Sequence, residues 1–250
     1  MLGDIVHNEE VVKQIEKAGI KKIKKLIPAK AKTLLIRAHG AGLSTIEKAK
    51  RFGYKIIDAT CPMVKEIHKI VRSTEIKGHE IIVIGDKKHD EVRGIIGQLK
   101  KNKGIIIDDT DNIPLKTIKT IKKACVVVQS TQNLEKVLKI KKILESNIAD
   151  LEFFNTICKP TRIKQEEIKR MSLKNDAMLI IGSKNSANAK RLYEISRSLN
   201  KKSYWINSKE ELKSAWFKNI KNIGITAGAS TPESTIKDII KSLRFSQTAQ

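Results

Sequence analysis

Short apolar runs alternate with stretches whose apolar residues recur every three or four positions, from one end of the chain to the other. The runs predict strands at 33–36, 55–57, 80–84, 104–107, 124–128, 151–154, 177–181, 203–206 and 222–225. The helical patterns fall at 9–18, 44–52, 62–75, 91–99, 134–146, 162–173, 187–199, 209–212 and 233–243. A strand followed by a helix, repeated, signals parallel sheets covered by helices. Such strands can close one barrel or form several small sheets. Their unequal spacing and the lack of a clean internal repeat favour several small sheets. No Gly/Ser-rich or Pro-rich linker interrupts the pattern, so any domains are expected to pack tightly, and the tail from Phe245 onward to fray.

In open α/β sheets, ligands bind beyond the carboxyl ends of the strands, and here those ends are polar. Arg37-Ala38-His39-Gly40 follows 33–36. Asp58-Ala59-Thr60-Cys61-Pro62 follows 55–57, which reads as a short buried strand. The segment from Gly85 to Glu91, with His89, follows 80–84. Gln129-Ser130-Thr131 follows 124–128, and Asn155-Thr156-Ile157-Cys158 follows 151–154. Gly182-Ser183-Lys184-Asn185-Ser186-Ala187-Asn188 follows 177–181, and Thr226-Ala227-Gly228-Ala229-Ser230-Thr231-Pro232 follows 222–225. A single Ser or Asn before a helix is ordinarily a cap. Together these ends resemble one polar site. The Gly-Ser and Ala-Gly-Ala-Ser stretches lead into helix N-termini, whose backbone N–H groups suit phosphate, with Lys184, Asn185, Ser186 and Asn188 as added donors. Neither stretch matches the Walker A or dinucleotide pattern, so no nucleotide is expected.

Cys61 sits where a strand gives way to a helix, with Pro62 in the first turn, where its missing N–H costs nothing. The positive end of a helix dipole favours an anionic sulfur. A lone cysteine is as often a small buried hydrophobe. Cys158 stands in the same local setting, whereas Cys125 lies inside an apolar run and reads as core. Zinc fits poorly, for want of a C-x-x-C pair or a His at metal spacing. Soft ligands favour an iron–sulfur cluster or Cu(I), although two cysteines are too few for a standard cluster. His7, His39 and His89, near strand or helix ends, are candidate donors or cationic partners for phosphate. His68 and His79 are assigned solvated structural roles. Glu91 is a general-acid candidate, but by spacing alone a first-turn acid stabilised by the helix dipole is the stronger reading.

Charge changes this picture little. The net charge of +23 suggests nucleic acid, yet only nine of the 50 basic residues are Arg, and the lysines are spread along the chain. Aromatics at 4% leave few platforms for stacking bases. A nucleic-acid role is therefore set aside, and attraction to an anionic ligand is retained. No apolar run reaches the ~18 residues of a membrane span, so no membrane is expected. The first residues do not read as a signal peptide, and three cysteines argue for a reducing compartment, with a cytoplasmic location as the default.

Taken in order, these stretches are similar to a known family. Ile5-Val6-His7-Asn8, Ala38-His39-Gly40, Asp58-Ala59-Thr60-Cys61-Pro62, Gly85 through Val92, Gln129-Ser130-Thr131, Thr156-Ile157-Cys158 with Gln165-Glu166, the 182–188 stretch and the 226–232 stretch cover nearly the whole chain. It resembles the LytB/IspH family, 4-hydroxy-3-methylbut-2-enyl diphosphate reductase of the non-mevalonate isoprenoid pathway. The resemblance implies an α/β fold of three small domains in a trefoil arrangement around a central site. The expected domains are 1–60, incomplete at the N-terminus and joined by the C-terminal segment, then 61–157, then 158–250. It implies a 4Fe-4S cluster held by three cysteines, with Cys61 and Cys158 as ligands. It further implies reductive dehydroxylation to isopentenyl and dimethylallyl diphosphate, with electrons from ferredoxin or flavodoxin. On the same basis His7, His39, His89, Ser186, Asn188 and Ser230 hold the diphosphate. Glu91 relays the proton, with Thr131 and Asn188 completing the network at the substrate hydroxyl.

Three departures stand out. The family's first cluster cysteine lies in a Gly-rich segment upstream of the His-Asn pair, whereas this sequence starts six residues before His7. The chain as written is therefore expected to hold a cluster poorly and turn over little, the alternative to an active reductase being a diphosphate-binding relic. Ala187 stands where the family commonly has a second Ser, at the loss of one phosphate donor. Arg37 stands where a small residue is more usual.

Overall fold

The computed structural model describes residues 1–29, 31–101 and 103–248, with side chains up to 243. In chain order the elements are α1 (Glu9–Lys17), β1 (Thr33–Ile36), α2 (Leu43–Arg51), β2 (Lys55–Asp58), α3 (Pro62–Ile76), β3 (Glu80–Ile84), α4 (Asp90–Ile96), β4 (Ile105–Ile107) and α5 (Leu115–Ile118). They continue with β5 (Lys123–Val128), α6 (Leu134–Glu145), β6 (Asp150–Phe153), α7 (Lys159–Lys174), β7 (Ala177–Ile181), α8 (Ala187–Leu199), β8 (Ser203–Ile206), β9 (Ile223–Ala227) and α9 (Glu233–Thr248). The strands form three small, wholly parallel sheets, β1-β2, β4-β3-β5-β6 and β8-β7-β9. The α/β expectation of several small sheets holds.

The chain divides into two compact units. The first comprises Met1–Ile5 and Ile20–Cys158, and the second Val6–Gly19 and the chain from Lys159 onward. In the first unit, β1 and β2 pair from Thr33↔Lys55 to Ile36↔Asp58, and Leu34, Ile36 and Ala49 of α2 bury one face. The reading of 55–57 as a buried strand fails. Among the described residues β2 pairs with β1 alone, three of its four residues are exposed, and Ile57 is 52% exposed. The four-stranded sheet is covered on both faces, which is why β3 and β5 are continuous apolar runs. Ile82, Ile84, Val126 and Val128 face Val137, Ile140 and Leu144 of α6. On the other face Ile81, Val83, Cys125 and Val127 meet Ile67 and Val71 of α3 and Val92 and Ile95 of α4. Cys125 is thus core, as expected.

In the second unit, central β7 is wholly buried. Ile168 and Leu192, on α7 and α8, pack with Met178 and Ile180, while Ile239 and Leu243 of α9 pack with Leu179 and Ile181. The helix expected at 209–212 is a 3-10 turn, Lys209–Glu211. Sequence periodicity missed α5 and the 3-10 turns Thr110–Asn112 and Ser214–Phe217, which are too short to show a helical period. α9 runs to Thr248, so the tail expected to fray from Phe245 is helical to that point, and residues 249 and 250 lie outside the described range. No helix among the described residues is long and apolar enough to cross a membrane.

Candidate functional site

Cys61 is the N-cap of α3, with Pro62 in the first turn and no side-chain cap. The preceding turn is built by Asp58, whose Oδ1 accepts from Thr60 N at 3.0 Å and from Thr60 Oγ1 at 2.5 Å, while Lys65 pairs with Oδ2 at 2.9 Å. The Cys61 N–H donates to Ala38 O at 3.0 Å, so the cysteine is tied to the end of β1 as well as β2. Cys158 immediately precedes α7, and its N–H donates to Ser130 O at 3.0 Å. Both are half-buried thiols. Cys125 differs: it is fully buried, and burial pushes its thiol up to about 11, against a lowering by the Thr74 hydroxyl. Helix starts at partly open positions suit soft metal ligation, and a sealed strand interior does not.

Glu91 is the second residue of α4 and is 2% exposed. Ser130 holds both carboxylate oxygens, its N–H on Oε1 at 2.6 Å and its Oγ on Oε2 at 2.8 Å. Burial raises the Glu91 carboxyl above the ordinary range, and the two Ser130 hydrogen bonds oppose it. A buried carboxyl with a raised pKa keeps its proton more readily than a solvated one, which suits a proton carrier. Glu91 does lie in the first turn of α4, as the alternative reading had it, but it is buried, whereas a first-turn acid is ordinarily solvated. Next to Ser130, Gln129 ties two loops together: Oε1 accepts from Asp86 N at 2.8 Å and Nε2 donates to Thr131 Oγ1 at 3.1 Å. Ser130 and Gln129 carry roles that the sequence reading had not assigned. Only the polar run after β5 hinted at them.

His89 caps α4, its Nδ1 accepting from Glu91 N at 3.2 Å. The proton of the neutral ring is then on Nε2, which makes that atom a donor. The His39 ring meets His89 edge to face, with centroids 5.3 Å apart. Gly40 follows with φ of +76°, and a Cβ there would lie 2.6 Å from His68 Cε1. His68 therefore braces the His39 turn from α3. The solvated role assigned to His68 and His79 is wrong, as they are 6% and 1% exposed. His68 falls on the inward stripe of α3 with Val64, Ile67 and Val71. Burial lowers its pKa to about 4, helped by Arg72 and opposed by Asp58, so the ring is neutral. His79 lies under β6, with Nδ1 on Thr74 O at 3.1 Å and Nε2 3.2 Å from Glu152. Arg37 pairs with Asp90 at 2.6 Å.

In the second unit Gly182 and Gly228 end β7 and β9. A Cβ on either would crowd Ala189 of α8, at 2.9 and 3.2 Å. Small residues thus let two strand ends close over one helix start. Ser186 caps α8, its Oγ accepting from Ala189 N at 3.3 Å. Asn188 is 6% exposed, and neither its Oδ1 nor its Nδ2 has a hydrogen-bond partner. Ser230 is half-buried at the turn into α9. Two expected donors, Asn185 and Lys184, are already engaged with protein, as is Ser183. Ser183 Oγ and Asn185 Nδ2 reach Glu9, at 2.8 and 3.0 Å, and Lys184 Nζ lies over the Trp205 ring at 4.5 Å and near Glu211 at 3.8 Å. His7 precedes α1 in this same unit, next to the Asn8 cap, whose Oδ1 accepts from Val11 N at 3.0 Å.

The family model described as LytB protein matches residues 1–244. The chain is 39% identical over 244 residues to the 4-hydroxy-3-methylbut-2-enyl diphosphate reductase of Campylobacter fetus subsp. fetus, covering 97% of this chain and 86% of the relative. It is 36% identical over 240 residues to the Aquifex aeolicus protein of the same name, covering 95% and 82%. A solved structure of (E)-4-hydroxy-3-methyl-but-2-enyl diphosphate reductase, the terminal enzyme of the non-mevalonate pathway, superposes with a TM-score of 0.67 at 35% identity, covering 98% of this chain and 87% of that one. The Plasmodium falciparum E-1-hydroxy-2-methyl-but-2-enyl-4-diphosphate reductase superposes with a TM-score of 0.87 at 30% identity, covering 95% and 76%.

Proposed function

The chain belongs to the LytB family, and from that premise we propose how its residues divide the work of the reductase. The protein is an oxidoreductase of the non-mevalonate pathway that converts 4-hydroxy-3-methylbut-2-enyl diphosphate to isopentenyl and dimethylallyl diphosphate, with a 4Fe-4S cluster as cofactor. The allylic C–O bond breaks, two electrons and two protons enter, and the oxygen leaves as water. When bound, the cluster supplies the electrons and a Lewis-acidic iron for the substrate oxygen. Cys61 and Cys158 would supply two of its cysteine ligands, while Cys125, sealed in the core, would not.

The remaining work falls to polar side chains. Glu91 delivers a proton to the departing oxygen, and Ser130 orients its carboxyl. Thr131, fixed by Gln129, is assigned to the hydroxyl end of the substrate, as is Asn188. His7, His39, His89, Ser186, Asn188 and Ser230 hold the diphosphate, the neutral His89 donating through Nε2. The observation that carries this assignment is Asn188. A buried amide with no partner costs about 1–3 kcal/mol, a cost a ligand offering both donors and acceptors would remove. The electrons come from ferredoxin or flavodoxin, whose acidic surfaces suit a chain of net charge +23. We also read domains at 1–60, 61–157 and 158–250, a reading supported by one sheet falling within each range, and a cytoplasmic location.

Anaerobic reconstitution with iron and sulfide, followed by iron quantitation and product analysis, tests the reading. Formation of both diphosphates, lost in Cys61→Ser, supports it. An iron-loaded chain that forms neither product overturns it.

A further inference from the structure

Glu9 is an acid at the start of α1, one residue beyond the His7-Asn8 pair, in a chain rich in lysine. It stands beside a loop read here as a diphosphate site, where a carboxylate would repel the ligand. Its hydrogen bonds account for its position. Oε1 accepts from Ser183 Oγ at 2.8 Å and from Asn185 Nδ2 at 3.0 Å, and Oε2 accepts from Asn207 Nδ2 at 3.5 Å. Burial raises its pKa, but these donors and its own backbone N–H outweigh that and hold it below the usual carboxylate range. The next residue, Glu10, accepts from Thr235 Oγ1 at 2.5 Å. The first turn of α1 is therefore fastened to the loop after β7 and to the first turn of α9. The bonds lie within one compact unit, which also contains His7, Ser186 and Asn188.

We propose that Glu9 is a positioning residue that fixes the His7 segment to the 183–188 loop, so that two parts of the diphosphate site are held in register before the ligand arrives. The proposal deepens the diphosphate reading above and rests on it. It also explains why Ser183 and Asn185 are engaged: their donors face inward to the clamp, leaving Ser186 and Asn188 for the ligand. Preorganisation of this kind raises affinity by removing the ordering cost at binding.

The two loop donors share one oxygen of Glu9, so glutamine can keep both bonds through its amide oxygen while losing the charge. Binding of inorganic pyrophosphate to the full chain, by titration calorimetry below the melting range of each variant, is the measurement. Glu9→Ala is expected to weaken binding about tenfold, the equivalent of one charged hydrogen bond. Glu9→Gln is expected to stay within about threefold of the wild type or to bind more tightly. His7→Ala is expected to cost less on the Glu9→Ala background than alone. Should Glu9→Ala fail to fold, Ser183→Ala with Asn185→Ala removes the clamp from its other side and is expected to weaken binding similarly. A wild type that binds no pyrophosphate overturns the diphosphate reading itself, and this proposal with it. Wild-type affinity in Glu9→Ala, or equal losses in the Ala and Gln variants, overturns the positioning role alone.

Discussion

Glu91 and Asn188 are both buried polar side chains near the start of a helix, 2% and 6% exposed, and the two units treat them in opposite ways. Around Glu91 the polar groups are provided for. Ser130 holds both carboxylate oxygens, His89 accepts the Glu91 N–H, and Arg37 pairs with Asp90. Around Asn188 the loop is braced by Glu9 through Ser183 and Asn185, while the amide itself bonds to nothing. A proton carrier must be held at one place, which calls for a closed network, while burial rather than that network raises its pKa. A ligand-binding donor must be left unsatisfied until the ligant comes, which means carrying a cost in the empty protein. On the proposed roles, the contrast separates a group that transfers from a group that binds.

Breaking the closed side should give the largest effect. Glu91→Gln keeps shape and hydrogen bonding but cannot donate a proton. Turnover of reconstituted enzyme is expected to fall about 100-fold or more, with iron content unchanged. Pyrophosphate affinity should stay near the wild-type value, because the residue is not a phosphate donor. A loss of affinity with unaltered turnover would reverse the two roles.

His68 tests the brace behind the His39 turn. Its folded pKa of about 4 lies below the ordinary value of 6.5, so the unfolded chain binds the proton first. Its contribution to stability is complete above pH 6.5 and is lost as pH falls toward 4, up to roughly 3 kcal/mol. Urea unfolding from pH 7 to pH 4 should show that decline, and His68→Phe should flatten it. An equally steep decline in the variant would place the titrating group elsewhere.

Asn188 gives a smaller effect of opposite sign in two measurements. Asn188→Leu removes an unsatisfied buried amide, so the ligand-free protein should gain about 1 kcal/mol of stability. Pyrophosphate binding should weaken about tenfold. Stability and binding falling together would mean that the amide is already satisfied, and the contrast with Glu91 would collapse.

Much of this was legible in the chain before any coordinates. Thr33–Ile36, Glu80–Ile84, Ala177–Ile181, Ser203–Ile206 and Ala187–Leu199 lie where periodicity put them, because parallel strands and their crossover helices write unmixed patterns. The polar strand ends, the cap at Cys61 and the core position of Cys125 were legible for the same reason. Burial of a polar side chain was not. His68 looks like any helical histidine until the register of α3 sets it on the inward stripe. Nor can spacing reveal that Ser183 and Asn185 turn toward Glu9, since that contact joins residues 174 and 176 positions apart. Ile57 shows the converse: an apolar run at the edge of a two-stranded sheet reads as core but is half exposed.

The smallest expected effect concerns Arg37, the residue that departs from the small side chain usual before Ala-His-Gly. Its pair with Asp90 is close, 2.6 Å, with both side chains about one quarter exposed. Such a pair contributes about 1 kcal/mol, since neither charge is fully desolvated. Asp90 also begins α4, where an acid favours the helix dipole, so Asp90→Ala should cost somewhat more than Arg37→Ala. The double variant should cost less than the two losses combined, by the coupling of the pair. Turnover should change less than about threefold in Arg37→Ala, because Ser130 holds Glu91 and the cap holds His89 without help from Arg37. Thermal unfolding and steady-state assays of the three variants measure both quantities. A tenfold fall in turnover from Arg37→Ala alone would mean that the closed network extends to β1, and that Glu91 depends on a wider brace than Ser130.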